Sequence, residues 1–124
     1  MESNRDKGLQ RRTQVMGPEF VERAMGNADA FTQPMQDYLN EHCWGSTWQR
    51  DDLPLDIRSL ITVAMLVALK APTELKGHVR GALRNGCTPE QIRAVILHSA
   101  IYCGAPAAQE GLRAAKEVID SFVA

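Results

Sequence analysis

Apolar residues along this chain recur at three- and four-residue intervals and show no convincing alternation, so the pattern predicts helices and no sheet. A first amphipathic segment covers about Asp6 to Met16 and is stopped by Gly17 and Pro18; a short helix follows over Glu19 to Met25. In "NADAFTQPMQDYLNEHCWG" a helix is expected to begin between Asp29 and Thr32, with Pro34 tolerated in its first turn. Phe31, Met35, Tyr38, Leu39 and Cys43 then keep helical spacing. Residues 45–53, "GSTWQRDDL", read as a polar loop carrying Trp48 and Arg50. The strongest helix starts at Pro54 and ends near Lys70. Its run "LITVAMLVAL" is apolar on every side, which predicts burial all round, by the domain or by a partner subunit.

Pro72 and Thr73 mark the start of the next helix, and Glu74 suits the positive end of its dipole. Gly86 reads as a C-cap. Thr88 as N-cap, Pro89 at the first helical position and Gln91 at the third form a capping box. That helix runs to about Cys103, "GAP" at 104–106 breaks it, and a last amphipathic helix reaches about Phe122. The expected architecture is an all-α single domain of about six or seven helices over residues 1–124, with a mobile N-terminus over about residues 1–5.

Composition narrows the function classes. At 44% hydrophobic and 23% charged, with a net charge of −1, the chain lacks the basic footprint of a nucleic-acid binder. The opening "MESNRDKGLQRRTQV" has no apolar run, and the longest apolar stretch falls short of the roughly 20 residues a membrane span needs. The expectation is a cytoplasmic protein without a membrane partner. Three cysteines, Cys43, Cys87 and Cys103, form no CxxC and no zinc-type spacing, and read as reduced, structural thiols.

The chemistry-bearing residues cluster in the second half. Glu74 and His78 stand four apart, so on a helix they share a face; a carboxylate there can orient an imidazole and raise its pKa. The pair reads either as a surface ion pair or as a catalytic face. Arg58 opens the most apolar helix and is either a carboxylate clamp or the ion-pair partner of Glu74 or Asp56. Trp44 and Trp48 bracket a loop, as packing anchors or as ligand platforms. His98 and Tyr102, again four apart, either line a pocket or belong to the core. Gly77 and Gly81 each cost roughly 1 kcal/mol against alanine in a helix interior, which implies close approach by another helix or by a ligand. HExxH is absent, and no metal site, phosphate-binding loop or nucleophile elbow is indicated.

The ordered blocks around Trp44, Trp48 and Arg50 (WG–x–x–W–x–R), the RSL at Arg58, EL–x–x–H from Glu74 to His78, and YCG–x–PAA from Tyr102 to Ala108 resemble the carboxymuconolactone decarboxylase family. The resemblance covers about Gly17 to Phe122. It implies an alkylhydroperoxidase D-like helical fold and homo-oligomers, commonly hexamers, that work without a cofactor. It also implies conversion of 4-carboxymuconolactone to 3-oxoadipate enol-lactone plus CO2 in protocatechuate breakdown. Residue by residue, it implies His78 as proton donor, Glu74 positioning it, and Arg58 on a substrate carboxylate or the lactone oxygen. Trp44, Trp48, His98 and Tyr102 would be substrate-binding walls. Peroxidase chemistry of the wider superfamily needs a CxxC that this chain lacks. The chain departs from the family pattern at Gln91 and Ala94, where acids are common, and at "RDDL", where Asp51 and Asp52 replace the usual x–G. A related but altered substrate, or a helical oligomer that only binds small carboxylates, are the competing expectations.

Overall fold

Ser, Gly and Pro at the ends of the apolar segments set the helix boundaries. In a computed structural model, which describes residues 1–123, seven α-helices occur and no strand is found among the described residues. They are α1 (Asn4–Met16), α2 (Pro18–Gly26), α3 (Gln33–Tyr38), α4 (Leu55–Ala68), α5 (Pro72–Arg84), α6 (Pro89–Cys103) and α7 (Ala105–Ser121). A π-helical turn, Leu39–Cys43, and a 3-10 turn, Thr47–Gln49, lie between α3 and α4. The all-α expectation holds. No described helix is long and apolar enough to cross a membrane. The chain divides into two compact units, Met1–Pro54 and the residues from Leu55 onward.

In the first unit α1 starts before the predicted Asp6, because the Ser3 hydroxyl accepts the Asp6 N–H at 3.1 Å and caps the first turn. Asn4 and Arg5 are therefore helical, and Arg5 Nη1 lies 3.3 Å from Asp37 Oδ1. Gly17, at φ +94°, ends α1 in a conformation that side chains resist, and Pro18 opens α2. The helix predicted to run through Cys43 instead widens after Tyr38 into the π turn, whose closing bond joins Trp44 N–H to Leu39 O at 2.9 Å. At this turn α1 passes in backbone contact. A Cβ on Gly8 would lie 1.7 Å from the Asn40 carbonyl oxygen, and one on Gly45 2.2 Å from that of Asn4. Asn40 is buried in the turn. Its Oδ1 accepts from Arg12 Nη1 at 3.0 Å, and Gln36 Oε1 accepts from the same nitrogen at 2.8 Å. Arg12 is itself buried, and desolvation pulls its pKa down.

The second unit is built on apolar packing. α5 packs on α4 and α7, and α6 on α4 and α7. Val63, Val67, Leu75, Val79, Ile92 and Ile96 form the center, with alanines of α7 closing on them. Gly111 allows this approach, since a Cβ there would sit 2.9 Å from Val67 Cγ2. The capping box at Thr88 is present in both directions, with Thr88 N–H to Gln91 Oε1 at 2.9 Å and Gln91 N–H to Thr88 Oγ1 at 3.1 Å. Gly86, at φ +91°, closes α5 as expected. Burial of α4 is one-sided within the chain: Ser59, Val63 and Val67 are buried, while Ile57, Ile61 and Met65 remain exposed.

Candidate active site

Helix geometry fixes the candidate residues of the second unit. α5 begins with Pro72 and carries Glu74 in its first turn, where a carboxylate offsets the partial positive charge of free N–H groups. One turn on, His78 is half-buried between the buried Leu75, Gly77 and Val79 and Gly81, with its Nδ1 shut off from solvent. Arg58 occupies the first turn of α4, the helix against which α5 packs; it too is half-buried, with Nε out of solvent reach. Arg58 and His78 therefore stand on two packed helices, both half-buried and each with one side-chain nitrogen out of solvent reach. A guanidinium can clamp a carboxylate, and an imidazole can pass a proton.

Glu74 is placed differently. Glu74 is exposed and takes part in no hydrogen bond or ion pair among the described residues, so it is bonded to neither His78 nor Arg58. The i, i+4 spacing puts acid and imidazole on one face of α5, and no hydrogen bond or ion pair joins them. Gly77 and Gly81 are both buried on that helix.

On α6, His98 and Tyr102, four apart, lie with ring centroids 5.3 Å apart and planes tilted by 44°. Neither is core: Tyr102 is 78% exposed. In the first unit Trp44 and Trp48 stack at 4.6 Å with planes 29° apart, and both are buried. Their carbonyls are held as well, Trp48 O by Arg11 Nη1 at 2.9 Å and Trp44 O by Gln49 Nε2 at 3.0 Å. The packing-anchor reading thus describes what these indoles do within their own unit.

One interaction was not foreseen. Arg50, the arginine of the WG–x–x–W–x–R block, donates from Nε and Nη2 to Asp52 Oδ2, and this hydrogen bond raises its pKa. Asp52 is one of the acids by which the chain departs from the family pattern. The R–D–D succession just after a 3-10 turn was the available signal. Among the thiols, burial pushes Cys87 up, and its Sγ lies 3.5 Å from Asp56 O, as suits a packed thiol rather than a nucleophile. Burial raises Cys43 too, against the opposing charge of Arg12. No three His, Cys, Asp or Glu side chains among the described residues converge so as to hold a metal ion.

Residues 33–117 match the model of the carboxymuconolactone decarboxylase family. The chain is 42% identical over 118 residues to nitrosuccinic acid decarboxylase npaB of Metarhizium robertsii, covering 95% of this chain and 82% of that protein. It is 38% identical over 112 residues to 4-carboxymuconolactone decarboxylase of Acinetobacter baylyi, covering 90% and 84%. Family model and relatives together support decarboxylase chemistry.

Proposed function

The chain belongs to the carboxymuconolactone decarboxylase family, and we propose that it is a cofactor-independent carboxy-lyase converting 4-carboxymuconolactone to 3-oxoadipate enol-lactone and CO2. The observation that carries this reading is the match to the family model over residues 33–117, with Arg58 and His78 half-buried on two packed helices, α4 and α5. In this substrate the departing carboxylate sits beside a C=C conjugated to the lactone carbonyl. Loss of CO2 sends the electron pair through the ring onto the carbonyl oxygen as a dienolate, so the substrate supplies its own electron sink. The protein's tasks are to hold the carboxylates, stabilise the oxyanion and return a proton to carbon. Arg58 takes the first two and His78 the third. Glu74, on the same face of α5, positions the imidazole once substrate is bound.

A second substrate is favoured by a specific observation, the 42% identity to a nitrosuccinic acid decarboxylase over 95% of this chain. Nitrosuccinate places a nitro group on the carbon that loses CO2, and the electron pair is taken up as a nitronate. The two reactions share one demand: a small diacid with a built-in sink, then one proton. The departures at Asp51, Asp52, Gln91 and Ala94 are where a change between such substrates would be sought.

Release of CO2 from both acids by the purified protein tests the proposal. Turnover of either, reduced by about 100-fold or more in His78→Ala with the fold intact, supports it. A folded protein that binds both and releases CO2 from neither is a carboxylate-binding oligomer. The proposal includes a homo-oligomer, a hexamer by family likeness. Support comes from the apolar side chains left exposed on α4 (Ile57, Ile61, Met65) and α6 (Leu97, Ile101), a surface of the kind that marks protein contacts. Sedimentation at micromolar concentration gives the subunit number, and a monomer there would remove that part.

A further inference from the structure

α6 and α7 lie side by side, and a groove of about 300 Å³ opens along their outer seam. That volume stands at the lower end of the roughly 300–1,000 Å³ usual for small-molecule sites. The groove is built on matched helical spacings, Ile92, Arg93 and Ile96 on α6 facing Leu112, Ala115, Lys116 and Ile119 on α7. Its floor is Ile92, Ile96 and Ala115, all fully or almost fully buried, and Leu112 forms a half-exposed wall. None of Arg58, Glu74, His78, His98 or Tyr102 lines it.

Two basic residues line the groove, and they differ in availability. Lys116 donates to Asp120 Oδ2 at 2.7 Å, so its ammonium is already answered. Arg93 is exposed and makes no hydrogen bond or ion pair with any described residue. A guanidinium with its donors open, set at the edge of an apolar trough, matches a ligand with an anionic head and a short apolar body. A cation would meet the guanidinium as a like charge, and an uncharged hydrocarbon would leave it unused. The volume has room for a short alkyl chain or a single ring.

From this we infer that the α6–α7 groove is a binding site for a small amphipathic carboxylate, with Arg93 holding the carboxylate and Ile92, Ile96, Leu112 and Ile119 holding the apolar body. The site is separate from the residues assigned to decarboxylation and does not rest on that assignment. Octanoate, octan-1-ol and octylamine are the probes, titrated into the full chain by calorimetry and by methyl NMR. The expected result is saturable octanoate binding below about 1 mM, with methyl shifts centered on the groove residues. Octan-1-ol binds at least tenfold more weakly and octylamine does not saturate. Arg93→Gln brings octanoate to the level of the alcohol and leaves CO2 release unchanged. Each of the following overturns the inference: no saturable binding by folded protein, equal affinity for acid and alcohol, indifference to Arg93→Gln, or shifts that lie elsewhere. Groove methyl shifts that depend on protein concentration without ligand would assign the groove to a second copy instead, and overturn it equally.

Discussion

The two units of this chain bury their interiors by different means. The unit from Leu55 onward relies on Val, Ile, Leu and Ala from four helices, whose dispersion and hydrophobic gains are non-directional. The unit Met1–Pro54 places a charged Arg12 and an amide Asn40 in its interior, joins them by a hydrogen bond, and brings two backbones together at Gly8 and Gly45. The contrast teaches where tolerance lies. An apolar core accepts substitutions of similar volume, whereas a polar, backbone-to-backbone contact accepts almost none.

The sharpest way to break the comparison is at Gly8. Gly8→Ala puts a methyl group 1.7 Å from the Asn40 carbonyl oxygen, inside any permitted contact, and is expected to cost more than about 3 kcal/mol. Gly26→Ala is the control: nothing lies within 4 Å of its Cβ, so stability should change by less than about 1 kcal/mol. Denaturant titration of both variants reads the difference. In the second unit, Ile96→Ala removes a fully buried side chain and should cost about 2–5 kcal/mol, while Ile96→Val costs about 0.5–1.5. Graded loss there against abrupt loss at Gly8 would sharpen the contrast; equal losses would erase it.

Legibility of the sequence follows the same division. The second unit was readable because its signals are local or periodic: the box at Thr88, the turn glycine at Gly86, and apolar residues at helical spacing. The Arg12–Asn40–Gln36 cluster was not, since it joins residues 24 to 28 apart that no periodicity links. Neither was the π turn at Leu39–Cys43, whose Trp44 N–H to Leu39 O bond keeps the same apolar spacing as a helix over that stretch. In the candidate site, spacing correctly placed Glu74 with His78 and His98 with Tyr102 on shared faces. It could not say that the first pair would form no ion pair, because an exposed carboxylate gains little from one in water.

Arg12→Ala tests the polar interior. It leaves the buried Asn40 oxygen without its donor and should cost about 1–3 kcal/mol. Arg12→Met, which keeps the stem and removes the desolvated charge, should cost less. The smallest effect is expected at Asp29, on the surface. Its carboxylate accepts the N–H groups of Phe31 and Thr32 and the Thr32 hydroxyl, which holds its pKa below the ordinary carboxylate value. A depressed acid of this kind contributes above its unfolded pKa and loses the contribution as pH falls through the folded one. The Thr32 amide signal should therefore shift at a pH below the usual carboxylate range, and Asp29→Asn should abolish that step.

The central claim is tested most directly by following CO2 from 4-carboxymuconolactone, with nitrosuccinate in parallel, using protein dialysed against chelator and given no cofactor. The account predicts multiple turnovers of at least one of the two acids, lost in His78→Ala while the helical spectrum is unchanged. Wild-type rates that survive in His78→Ala, or folded oligomer that releases no CO2 from either acid, would contradict it.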